Sequence, residues 1–131
     1  MPIKYQKECP FCNLDITTTS NLLFNNDVSI SFEDKFPVVK GHTLIVPKRH
    51  VPSFFDLTIK EKTECLLMLD EVRKHWLQID KTITGFNVGF NDGIDAGQTI
   101  FHCHIHVMPR RKNDVSNPRG GIRNIIPRKA Y

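Results

Sequence analysis

His102-Cys103-His104-Ile105-His106-Val107-Met108-Pro109 decides the reading of this chain. Histidine alternates with apolar residues at a period of two, which is the period of a strand. A strand is therefore predicted over His102–Met108, with the three imidazoles on one face and Cys103, Ile105 and Val107 turned into a core. Three imidazoles side by side are costly unless they are solvated, metal-bound or catalytic. Three readings follow: a surface strand, a metal-binding face, or nucleophilic catalysis with one neutral imidazole attacking phosphorus beside a proton-handling neighbour. The last requires a neutral nucleophile, so activity would fall as pH drops below its pKa.

The segment just upstream bears on that choice. Asn91-Asp92-Gly93-Ile94-Asp95-Ala96-Gly97-Gln98-Thr99 is a glycine-rich turn leading directly into the histidines. Such turns can present backbone N–H groups to phosphate oxygens. No Walker-type Gly-Lys-Ser/Thr occurs, which excludes P-loop chemistry.

Further from the histidines, Leu22–Asn25 and Val28–Glu33 read as two short strands around Asn26-Asp27. His42–Val46 reads as a β-branched strand ended by Pro47. Thr58-Ile59-Lys60-Glu61 matches a capping box. After it Cys65, Leu69, Val72, Trp76 and Ile79 recur at helical spacing, giving one long helix to about Asp80 with a buried stripe. Phe86, Val88 and Phe90 alternate as another strand. Strands dominate with a helix inserted among them, so an α+β fold is expected: an antiparallel sheet of about five strands, one long helix and a short one.

The 131 residues suit one domain, taken as 1–112 with a basic tail at 113–131. The composition, 40% hydrophobic and 24% charged, is that of a soluble globular protein. No apolar run is long enough to span a membrane, and the N-terminus has no secretory h-region, so a cytoplasmic protein is expected. The net charge of +4 is a C-terminal property: beyond Met108 seven Lys and Arg oppose one Asp, leaving the first 108 residues at −2. That tail is a candidate clamp, through Arg119 and Arg123, for the distal phosphates of a polyanionic substrate. Nucleic-acid binding is disfavoured, because no basic stripe is interleaved with aromatics.

The pattern at 102–108, preceded by Ala96-Gly97-Gln98, resembles the histidine triad (HIT) superfamily. The segment Gly41-His42-Thr43-Leu44-Ile45-Val46-Pro47-Lys48-Arg49-His50 resembles that family's other hallmark. The tail segment Asn117-Pro118-Arg119-Gly120-Gly121-Ile122-Arg123 resembles prokaryotic members of the diadenosine-polyphosphate hydrolase type. The resemblance implies that His104 attacks the α-phosphorus of a nucleotide and forms a nucleotidyl-histidine, with His106 assisting the leaving group and His42 behind it. It implies that Gly97, Gln98, Thr99 and Ile100 surround the phosphates, with Asn91 near the leaving group and Gln98 counted as catalytic. Asp34 would hold the ribose, with Ile30 and Phe32 walling the base. Hydrolase, phosphorylase and phosphoramidase chemistries all remain open, as does a non-catalytic nucleotide-binding role. The resemblance also implies a homodimer.

Cys9-Pro10-Phe11-Cys12 is a C-x-x-C that lets two thiolates face one metal. A redox pair or two cysteines without a role are the competing readings. The resemblance implies structural zinc on Cys9, Cys12, His50 and His102. Cys65 and Cys103 are expected to be packing thiols, and His75 to lie on the helix surface.

Overall fold

A computed structural model describes residues 6–14, 21–127 and 129. Residues 15–20, between the C-x-x-C and the first predicted strand, and Arg128 of the tail lie outside them. Five strands form one sheet: β1 (Leu22–Asn25), β2 (Ser29–Glu33), β3 (Thr43–Pro47), β4 (Ile83–Gly89) and β5 (Ile105–Arg111). Their order is β1-β2-β3-β5-β4, and every neighbouring pair is antiparallel. The helix α1 (Ile59–Ile79) enters between β3 and β4. The α+β architecture expected from the sequence is present.

Local chemistry explains the elements. Asn26 Oδ1 accepts from the N–H groups of Val28 and Ser29 at 3.0 and 2.8 Å, so the side chain builds the β1–β2 turn. Thr58 Oγ1 accepts from Glu61 N while Glu61 Oε1 accepts from Thr58 N, which closes the capping box. Buried Glu61 is also gripped by Arg49 through two bonds of 2.7 and 3.0 Å. That fork fixes the residue beside His50 to the start of α1.

The pleat sorts side chains onto two faces. Ile45, Ile105 and Val107 meet Cys65, Met68, Val72 and Trp76 of α1 on one. Ile30, Phe32, Leu44 and Val46 occupy the other, covered by Phe11, Leu14 and Leu22. The helix stripe differs from expectation in two places: Met68 rather than Leu69 is fully buried, and Ile79 is 62% exposed. Cys65 and Cys103 are buried, as packing thiols should be; burial pushes them up to about 11 and about 12. His75 is half-buried against Phe24 and Trp76 rather than fully exposed.

Strand β5 corrects the predicted boundaries. It begins at Ile105, three residues later than expected, and continues through Pro109 to Arg111. The last β3 pair is Thr43 with Val107, so at Pro109 only β4 remains alongside, opposite Phe86. Proline is tolerated where the ladder has lost one side. The expected single short helix is replaced, among the described residues, by 3-10 turns at Phe54–Asp56, Ile94–Ala96 and Gly121–Ile125.

Candidate active site and metal centre

The face of the sheet away from α1 carries the histidines. His102 and His104 precede β5 rather than lie in it, yet they stay on that face with His106. The His104 and His106 rings are 5.0 Å apart, and Phe11 meets His102 and His104 edge-on at 5.8 and 5.1 Å. His102 and His104 are buried and His106 is half-buried. The surface-strand reading therefore fails.

Hydrogen bonds assign the proton on each ring. His104 Nδ1 lies 2.8 Å from the His102 carbonyl, which only accepts. Nδ1 must therefore carry the proton, leaving a bare lone pair on Nε2. His42 Nδ1 accepts from the Val38 N–H at 3.1 Å. Its own proton is thus on Nε2, which faces His106 Nδ1 at 2.9 Å and Asp34 Oδ2 at 3.4 Å. His106 accepts at Nδ1 and so holds its proton on Nε2. Burial holds His42 below the usual imidazole range, against the pull of Asp34. Burial, then the neighbouring His104 and His42, lowers His106 to about 4. One bare imidazole nitrogen and one imidazole N–H therefore sit on adjacent rings. The Asp34–His42–His106 cluster has donor atoms close enough to suggest a metal. The Val38 N–H argues against one: a metal on His42 Nε2 would push the ring proton onto Nδ1, where the amide already points.

The second cluster suits a metal. The ligand atoms of Cys9, Cys12, His50 and His102 all lie within 4.8 Å of one another. Cys9 Sγ is 3.4 Å from His102 Nδ1, and Cys12 Sγ is 3.2 Å from His50 Nδ1 and 3.6 Å from His102 Nδ1. Tetrahedral zinc with ordinary bond lengths separates sulfur and nitrogen by about 3.6 Å. His102 Nε2 donates to the Pro47 carbonyl at 2.7 Å, which turns the Nδ1 lone pair toward the thiols. Burial lowers His102 to about 4 and His50 in the same direction, so both are neutral ligands. These residues fit zinc by donor type, spacing and tautomer.

The turn before the histidines is organised differently from expectation. Gly93 and Gly97 both have φ near +95°, a conformation that favours glycine. The Gly97 and Gln98 N–H groups donate within the turn, to Ile94 and Gly93. The buried Gln98 side chain accepts from Gly93 N and donates to the Pro52 and Ile100 carbonyls. Gln98 thus ties the turn to the loop after β3. Among the described residues, the next amides, Thr99 and Ile100, donate to no backbone carbonyl of the turn. Asn91 is exposed at its start and lines a cleft with His42 and His106. Asp34 is half-buried and accepts from Phe36 N through Oδ1.

The cations at the end of β5 are committed to the body and the start of the tail. Arg110 pairs with Asp114 and Asn87, and Arg111 pairs with Asp80 at 2.8 Å. Phe11 touches both the Cys/His cluster, at His102, and the neighbouring His104, a role the sequence reading does not assign it. Its place between two candidate ligands was the available signal.

Comparison with known proteins agrees with this geometry. A family model described as the HIT domain matches residues 16–113. A bis(5'-nucleosyl)-tetraphosphatase [asymmetrical] of Schizosaccharomyces pombe is 38% identical over 99 residues, covering 74% of this chain and 53% of that protein. A bis(5'-adenosyl)-triphosphatase of Dictyostelium discoideum is 36% identical, covering 75% of this chain and 65% of the relative. The chain thus spans only about half to two thirds of these relatives' length. A zinc-bound histidine triad family protein of Mycobacterium smegmatis superposes with a TM-score of 0.70 at 28% identity, covering 82% of this chain and 78% of that one. The match over most of the sheet and helix, with the imidazole pair in place, establishes that this chain belongs to the HIT family.

Proposed function

We propose that the chain hydrolyses dinucleoside polyphosphates, such as diadenosine tetraphosphate, at a nucleotide α-phosphorus through a covalent adduct on His104. The observation that carries this reading is the pair of fixed tautomers: a bare His104 Nε2 beside a His106 Nε2–H. The names of the fission-yeast and Dictyostelium relatives support the substrate class.

In the first step the His104 Nε2 lone pair forms a bond to the α-phosphorus, and the bond to the bridging oxygen breaks. The electron pair leaves with the polyphosphate, which needs no proton at neutral pH. His106 Nε2–H donates a hydrogen bond to the oxygen that gains charge. In the second step water attacks the same phosphorus, the P–N bond breaks, and His104 recovers its lone pair. The water's proton passes to solvent, and a nucleoside monophosphate departs. Splitting one displacement into two lowers each barrier. Thr99 and Ile100 amides would hold nonbridging oxygens, Asp34 the ribose hydroxyls, and Phe11, Leu14 and Phe32 the base.

Cys9, Cys12, His50 and His102 would hold structural zinc, which when bound cross-links the N-terminal loop to the segment carrying the nucleophile. The tail at 113–131 would belong to the same domain, and the protein would act in the cytoplasm. The exposed Leu66, Leu67 and Ile79 of α1 support pairing with a second copy. His104→Ala should abolish nucleotide release while leaving nucleotide binding measurable by calorimetry; surviving turnover would overturn the assignment.

A further inference from the structure

A cleft of about 870 Å³ opens beside the imidazole pair, toward β4, with His42 and His106 in its lining. Its far side is the C-terminal tail, through Val115, Ile122, Ile125 and Ile126. These four are 46, 57, 76 and 57% exposed, and Val38 across the cleft is 70% exposed. They make up five of the thirteen large apolar residues that are exposed among the described residues. Apolar side chains gathered around one opening mark a binding surface rather than scattered surface residues. Asn117 and Asn124 add amide groups to the same wall. Arg110 is the only Lys or Arg in the lining, and its guanidinium is already held by Asp114 and Asn87. The wall therefore suits a flat organic group bearing hydrogen-bonding edges. A bare chain of phosphates would find little counter-charge there.

We infer that this chamber receives the second nucleoside of a dinucleoside polyphosphate, so that Ile122 and Ile125 of the tail set the leaving-group specificity. The inference rests on the proposed hydrolase reading. Its geometry follows from continuity: His106 marks the departing oxygen, and the chamber extends from that ring to the tail. A volume of about 870 Å³ lies within the range of roughly 300–1,000 Å³ usual for small-molecule sites. The tail thus acts on the leaving half through its apolar surface, rather than through the charge of Arg119 and Arg123.

The test compares kcat/KM for diadenosine tetraphosphate with that for adenosine 5'-tetraphosphate, which has the same run of phosphates and no second nucleoside. Products are resolved by chromatography. The full-length protein should favour the dinucleoside by at least about tenfold, the scale on which apolar pockets discriminate. The double variant Ile122→Asp, Ile125→Asp should bring the ratio close to one, with near-UV circular dichroism and metal content confirming its fold. A ratio near one in the unaltered protein overturns the inference without needing any variant. So does an unchanged ratio in the folded double variant. A folded variant that loses only dimerisation by light scattering, with its ratio unmoved, would assign this surface to a second copy instead. Absence of nucleotide release from both substrates would sink the hydrolase reading itself, a result distinct from equal release.

Discussion

Gly41→Ala should be among the most damaging single-methyl additions in this protein. Gly41 has φ of +90°, where an L side chain costs roughly 1–2 kcal/mol. A Cβ there would stand 3.0 Å from Pro109 Cγ and 3.3 Å from two Trp76 ring atoms. Neither neighbour yields easily: Pro109 is fully buried in β5, and the Trp76 indole donates to Thr43 Oγ1 at 2.9 Å. Overpacking of this kind costs about 1–3 kcal/mol. The total is about 2–5 kcal/mol, or on the order of 10 °C in Tm for a chain of this size. Gly89→Ala is the control, because it has no atom within 4 Å of its Cβ and no left-handed φ. It should stay within about 1 kcal/mol of the parent. Thermal melts of both variants followed by circular dichroism read the difference directly. A Gly41→Ala protein melting within 2–3 °C of the parent, a shift worth only about 1 kcal/mol, would refute the packing argument.

Acidification and metal removal give two further expectations. His106 and His42 are held neutral in the folded state, so below pH 6.5 the unfolded chain binds more protons. Stability should therefore fall as pH drops from about 6.5 toward about 4, before the strongly depressed carboxyls of Asp80 and Asp114 take protons. A Tm that stays flat from pH 7 to 4.5 would contradict the buried neutral imidazoles. Cys12→Ser removes a thiol that approaches both His50 and His102. It should abolish stoichiometric zinc by elemental analysis and loosen Phe11 from His104; undiminished zinc would remove Cys12 from the ligand set.

Much of this was legible in the sequence because it rests on local rules. The capping box at Thr58 and Glu61 needs only four residues, and the turn at Asn26 needs one side chain. The C-x-x-C and the alternating histidines mark two candidate clusters locally, while Asp34, His42 and His50 join them from another segment of the chain. What escaped depends on partners far along the chain. Pro109 continues β5 because β3 has already ended beside it, which no window around residue 109 contains. Met68 is buried more deeply than Leu69, which packs at the margin of the same core, because the sheet sets the rotation of α1. Gln98 donates to the carbonyl of Pro52, forty-six residues away, a tie that no window around residue 98 contains. The tail reads as charge, whereas its isoleucines at 122, 125 and 126 line the cleft, and Arg110 and Arg111 just before it, in β5, are paired with Asp114 and Asp80.

The central claim is that His104 becomes covalently nucleotidylated through its bare Nε2. Rapid mixing with substrate labelled at the α-phosphorus, quenching in alkaline denaturant and peptide mapping by mass spectrometry would test it. A transient nucleotidyl group is expected on the peptide carrying His104, bonded to the ring nitrogen away from the His102 carbonyl, and none in His104→Ala. Turnover with no labelled protein at any quench time, or label on His106 instead, would contradict it.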